Sequence, residues 1–122
     1  MASAPRILVV EDDTAIRQTI AELLEDEGFV VECAVNGADA LARLGASAAP
    51  AVILLDLTMP VMDGWTFRET QCRDPRYAAI PTVIVTAGHG GAARTNDDLA
   101  PAAVLPKPFD LDRLLATVHR LC

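Results

Sequence analysis

Positive charge is scarce in this chain: ten Lys and Arg stand against seventeen Asp and Glu, a formal net charge of −7. That balance argues against a surface built to grip nucleic-acid phosphates. It favours solubility, with attraction to a basic partner as the other reading. Cysteine is sparse too. Cys33, Cys72 and Cys122 are odd in number and lack metal-ligand spacing. The start of the chain has no leader-like pattern, so a reduced, cytoplasmic protein is expected. Cys33 is expected buried in a strand, with the other two near helix ends. No apolar stretch approaches the roughly 20 residues that cross a bilayer. Internal repeats, low-complexity tails and linkers are missing, so the expectation is one domain over 1–122, its core about 6–121, with no effector domain.

What remains is globular in character. Hydrophobic residues make up 52% and charged residues 22% of the chain, far from a disordered composition. A chain of 122 residues is long enough to bury a core without disulfides. Residues 7–10, 52–55 and 82–86 are short, β-rich and apolar on both sides, as strands buried between helix layers are. Residues 29–34 are more mixed and suit a sheet edge, and 102–105 form a short fifth candidate.

Amphipathic segments lie between most of these runs. Ile16, Ile20, Leu23 and Leu24 mark one face of a helix from about Thr14 to Glu27, started by Asp13 or Thr14 and ended by Gly28. Asn36 can cap a second helix with Ala40, Leu41 and Leu44 inward. Gly64 to about Arg73 is a weaker third, carrying Trp65, Phe67 and Arg68. Asp110 can cap a last helix whose apolar stripe is Leu111, Leu114, Leu115, Val118 and Leu121. Residues 88–101 should hold a helix as well, but their three glycines and terminal proline predict a short or frayed one. Such βα alternation predicts a parallel sheet covered on both faces, with ligands collecting beyond the carboxyl ends of the strands.

Three charged signals fall at such ends. Glu11-Asp12-Asp13 follows the first apolar run, Asp56 the run Val52–Leu55, and Lys107-Pro108 the run ending at Leu105. Carboxylates meeting in one pocket repel one another unless a cation joins them. Mg²⁺ takes oxygen ligands and keeps several waters, so one or two carboxylates and a phosphate suffice to hold it. Asp56 is the best candidate for a carboxylate that attacks a phosphoryl group. The metal and Lys107 would offset charge on that group, and the Thr86 hydroxyl would donate to one of its oxygens.

Each residue also has a plain reading. An acid after a strand is often solvated or a helix cap, a strand-end Thr is often only that, and a lone Lys is usually a surface residue. His89, in its glycine-rich loop, is expected in solvent, and His119 near a helix C-terminus. Gly88-His89-Gly90-Gly91 lacks the lysine and hydroxyl of a P-loop. Trp65 is expected to pack. Only the combination of acids, Thr86 and Lys107, in this order and at strand ends, outweighs these readings.

The motifs Ile7–Asp13, Leu54–Gly64, Thr86-Ala87 and Lys107-Pro108-Phe109 together resemble the receiver domain of bacterial two-component response regulators, over Arg6 to about Leu121. The resemblance implies a chemotaxis-regulator-like, flavodoxin-like (βα)5 fold with strand order 2-1-3-4-5. It implies that a histidine kinase or histidine phosphotransfer protein donates a phosphoryl group to Asp56, switching contacts with a downstream protein; the acidic balance and the short apolar runs add the expectation of no direct nucleic-acid binding and no membrane insertion. Asp12, Asp56 and the backbone carbonyl of Thr58 would hold Mg²⁺, or Mn²⁺, with Glu11 acting mainly through water. A register one residue later would put Asp13 in place of Asp12. Thr86 and Lys107 would grip the phosphoryl oxygens, beside a Lys107–Pro108 bond that is usually cis in such domains. The chain would catalyse only its own phosphorylation and dephosphorylation.

Two features depart from the family pattern. The position that is commonly Tyr or Phe is Val104, and Pro106 stiffens the approach to Lys107. These point to signalling through the ordering of 88–101 in place of a ring flip. Three other readings compete: a pseudo-receiver that binds partners without phosphorylation, a metal-dependent phosphatase, and a flavin or nucleotide binder. The phosphatase would need a second acid where Thr58 stands. The nucleotide binder would need a phosphate loop where Glu11, Asp12 and Asp13 stand.

Overall fold

The computed structural model describes residues 4–57, 59, 61–86, 101–106 and 110–122, and the side chains of Thr86 and Pro106 fall outside that description. Among the described residues, strands β1 (Arg6–Val10), β2 (Val30–Ala34), β3 (Val52–Asp56), β4 (Thr82–Thr86) and β5 (Ala103–Pro106) and helices α1 (Thr14–Asp26), α2 (Gly37–Ala46), α3 (Gly64–Arg73) and α4 (Leu111–Leu121) follow in the order β1-α1-β2-α2-β3-α3-β4-β5-α4. All strand pairs are parallel, and the order across the sheet is β2-β1-β3-β4-β5. The helix expected over 88–101 lies outside the described residues.

Alternation along each strand builds two cores. Leu8, Val10, Ile53, Leu55 and Ile84 face one way and pack with Ala40 and Leu44 of α2 and Phe67 of α3. Ile7, Val9, Val52, Leu54 and Val83 face the other way, against Ile20 and Leu24 of α1 and Leu114 and Val118 of α4. Every residue of β3 is buried, so the central strands carry apolar side chains on both faces. β2 lies at the edge, as its mixed composition predicts. There Glu32 takes ion pairs from Arg6 at 3.2 Å and Arg43 at 3.4 Å, placing charge on an open strand edge.

All four described helices begin at an Asp or Asn whose side chain accepts a backbone N–H: Asp13 from Ile16, Asn36 from Asp39, Asp63 from Thr66 and Asp110 from Asp112. Asp13, not Thr14, caps α1. Gly28 ends that helix at φ +94°, a conformation side chains resist. No helix among the described residues is long and apolar enough to cross a membrane.

Two details differ from the sequence reading. Leu111 is 40% exposed, because it sits in the opening turn of α4, ahead of the stripe that meets the sheet. Cys33 is half-buried, not buried, as an edge strand dictates. That burial still pushes its thiol above the usual range, against weaker opposition from Arg17 and Arg43. The thiol therefore stays protonated and weakly reactive at neutral pH.

Beneath α3 lies a buried polar knot that the sequence pattern does not announce. Gln71 Nε2 donates to the carbonyls of Tyr77 (3.0 Å) and Ile80 (3.3 Å). The Thr82 hydroxyl accepts from Arg68 Nη1 at 3.0 Å and lies 3.2 Å from Gln71 Oε1. All three side chains are buried. The inward stripe of α3 (Gly64, Phe67, Arg68, Gln71) thus has helical spacing, but half of it is polar.

Close packing at Gly64 and hydrogen bonding at Thr82 each carry a measurable part of the stability. A Cβ on Gly64 would collide with the Asp56 carbonyl oxygen and lie 2.7 Å from the Leu57 Cα, both backbone atoms with little room to move. Gly64→Ala should cost about 2–3 kcal/mol, read as a lower urea midpoint at unchanged slope. Thr82→Val keeps the shape but removes the oxygen that Arg68 and Gln71 use. It should cost about 1–3 kcal/mol in the same assay, and a midpoint equal to wild type would show the knot to be energetically neutral.

Candidate functional site

Parallel register decides which residues meet at the carboxyl edge of the sheet. Val10 pairs with Leu55 and Asp56 with Val85, while Thr86 pairs with Pro106. Glu11 therefore leaves β1 beside Asp56, the last residue of β3. Thr86 closes β4, and β5 ends one residue before Lys107. Carboxylate oxygens of Glu11, Asp12 and Asp56 all lie within 4.8 Å of one another. Glu11 and Asp56 are only 2% and 5% exposed, whereas Asp12 is open to solvent.

The backbone around these acids is held on several sides. Glu11 N–H donates to the Ala34 carbonyl of β2 at 3.0 Å. Its carboxylate Oε2 accepts the Asp13 N–H at 3.2 Å. Asp13 turns away to cap α1, accepting from Ile16 at 3.0 Å, so Asp12 is the acid that joins Glu11 and Asp56. Beyond Asp56 the chain closes into a loop when the Gly64 N–H donates to the Leu57 carbonyl at 3.0 Å. Gly37 of α2 donates to the Met62 carbonyl at 2.9 Å and fixes the same loop from the side. Within it Val61 stands at φ +68° and 87% exposed. A β-branched residue in that region is strained by about 1–3 kcal/mol, the kind of cost that clusters at functional loops.

Three carboxylates this close, two of them buried, raise one another's electrostatic energy. A hard divalent cation with oxygen ligands relieves that repulsion, and the donor set fits Mg²⁺ chemistry. The Thr58 carbonyl, Lys107 and His89 lie outside the described residues, and Thr86 is placed only through its backbone. Trp65 packs against the first core. Val104 is half-buried against that same core and pairs with Ile84. His119 reaches from α4 to Glu27 at 3.3 Å and stacks near Phe29, away from the carboxylates. Arg17 also belongs to this edge, without a sequence signal that marks it. Its guanidinium folds back from α1 onto the Glu11 and Asp12 carbonyls.

Known proteins with this sequence pattern and shape agree on one family. A family model for the response regulator receiver domain matches residues 7–119. A DNA-binding dual master transcriptional regulator, RpaA of Synechocystis, is 38% identical over 96% of this chain and 48% of its own length. The chain spans about half the length of the curated relatives it matches, 48% and 53% for two of them. Among solved structures, the chemotaxis response regulator CheY4 of Vibrio cholerae superposes with a TM-score of 0.86 at 31% identity, covering 98% of this chain and 99% of that one. The response regulator TrrA of Thermotoga maritima, solved in complex with Mg²⁺ and BeF, gives a TM-score of 0.83 at 27% identity, covering 97% and 99%. With the family match spanning nearly the whole chain, and the sheet order and grouped acids described above, the chain belongs to the response regulator receiver domain family of two-component signalling.

Proposed function

We propose that Asp56 accepts a phosphoryl group from the phosphohistidine of a histidine kinase or histidine phosphotransfer protein, in a Mg²⁺-dependent reaction. The observation that carries this reading is the grouping of Asp56 with Glu11 and Asp12 at the carboxyl edge of the sheet. One Asp56 carboxylate oxygen attacks phosphorus, an O–P bond forms, and the P–N bond to the donor imidazole breaks. The imidazole leaves with the bonding pair and takes its proton from solvent. Asp12 and Asp56, with the Thr58 carbonyl, would hold the cation, and Glu11 would act mainly through water; Mn²⁺ would serve in place of Mg²⁺. When bound, the metal offsets negative charge on the transferring group. Thr86 donates its hydroxyl to a phosphoryl oxygen, and Lys107 (the only lysine in the chain) supplies a second positive contact.

In this reading the chain acts catalytically on itself alone, through gain and loss of the phosphoryl group, and it does so in the cytoplasm. The phosphorylated state would alter contacts with a downstream protein. A net charge of −7 supports an output through protein, not direct nucleic-acid contact, for this segment. DNA binding named for the Synechocystis relative belongs to a protein about twice as long. Val104 has no aromatic ring to swing, so the output is carried by another change at this edge.

Intact mass after incubation with Mg²⁺ and acetyl phosphate tests the proposal. One added phosphoryl group is expected, absent without Mg²⁺ and absent in Asp56→Asn. A folded wild-type chain that gains no adduct would contradict the phosphoacceptor reading and leave a binding module that keeps the fold without the chemistry.

A further inference from the structure

Arg17 lies one turn into α1, beside the acidic loop yet outside the carboxylate group. Its Nη1 donates to the Glu11 carbonyl at 2.8 Å and to the Asp12 carbonyl at 3.3 Å. Its Nη2 approaches the Thr14 hydroxyl at 3.4 Å. One half-buried guanidinium therefore spans the two peptide groups that carry Glu11 and Asp12. The Glu11 N–H is tied to β2 on the other side. Fixing both carbonyl directions fixes where the attached Cα–Cβ bonds point, and here both carboxylates are brought toward Asp56.

We propose that Arg17 is a positioning residue for the divalent cation: it holds Glu11 and Asp12 converged on Asp56 against their mutual repulsion. This inference rests on the Mg²⁺-dependent reading of the site. Nη1 alone makes both carbonyl contacts, and the rigid guanidinium plane is braced from its other arm, where Nη2 rests against the Thr14 hydroxyl. A lysine ammonium is a point charge on a flexible stem, with no second nitrogen to brace it against Thr14 and hold it on the two carbonyls. Outer-shell groups that orient ligands in this way typically affect metal affinity 10–100-fold.

Charge and geometry make opposite demands, which makes the inference testable. A positive group beside the carboxylates opposes the arrival of Mg²⁺, so removing charge alone would tighten binding. Losing the clamp would weaken it. Calorimetric titration of Mg²⁺ into the full chain should show about tenfold weaker binding in both Arg17→Lys and Arg17→Met. In acetyl phosphate reactions, the Mg²⁺ concentration giving half the maximal rate should rise by the same factor. The rate at saturating Mg²⁺ should stay within about twofold of wild type, since Arg17 hydrogen-bonds to the Glu11 and Asp12 carbonyls and the Thr14 hydroxyl and is given no role on the phosphoryl group. Urea midpoints without metal separate this from loss of fold, because a purely structural role would move the midpoint and leave Mg²⁺ affinity alone.

Unchanged affinity in Arg17→Lys, or tighter binding in Arg17→Met, would overturn the positioning role while leaving Mg²⁺ dependence intact. If the wild-type chain itself binds no Mg²⁺, the reading of the site fails and this inference falls with it.

Discussion

Repulsion between carboxylates brought together at the carboxyl edge of a parallel sheet is the constraint around which this domain is organised. Parallel register leaves Glu11 beside Asp56, and a buried β3 delivers Asp56 there with almost no exposure. In water three such acids would separate. Here the surrounding backbone holds them: Glu11 is anchored to β2, Asp13 caps α1, and the Leu57–Gly64 loop closes on itself and on α2. The fold thus maintains a negatively charged, oxygen-lined site whose donor set suits a divalent cation.

The rest of the molecule can be read as support for that edge. Two apolar layers, one under α2 and α3 and one under α1 and α4, keep the strands in register. Gly64 lets α3 start against the Asp56–Leu57 backbone, a contact no side chain would permit. At the opposite end, the Arg68–Gln71–Thr82 knot ties α3 to the start of β4. A buried cationic knot is costly to desolvate, but its hydrogen bonds are directional, so it fixes how α3 sits on the sheet.

Much of this was legible in the residues. Apolar runs with charged ends located the strands, and Asn36 and Asp110 stand where helix starts require them. Gly28 marks the end of α1, and the mixed composition of 29–34 marked the sheet edge. The acids Glu11, Asp12 and Asp56 were found because each follows a buried run. What escaped notice depends on contacts distant in sequence or on side-chain direction. Gln71 and Arg68 share the inward stripe of α3, but their polarity disguised it. Arg17 looks like an ordinary surface residue of an amphipathic helix until its side chain is seen curling back. Val61 gave no hint of a positive φ, because apolar β-branched residues almost never adopt one.

A crystal structure of the chain grown with Mg²⁺ and beryllofluoride would decide whether Asp56 is the phosphoacceptor beside a bound cation. Beryllofluoride is expected on the Asp56 carboxylate, with the cation held between Asp12 and Asp56. Beryllofluoride bound elsewhere, or a cation that avoids these carboxylates, would contradict that assignment.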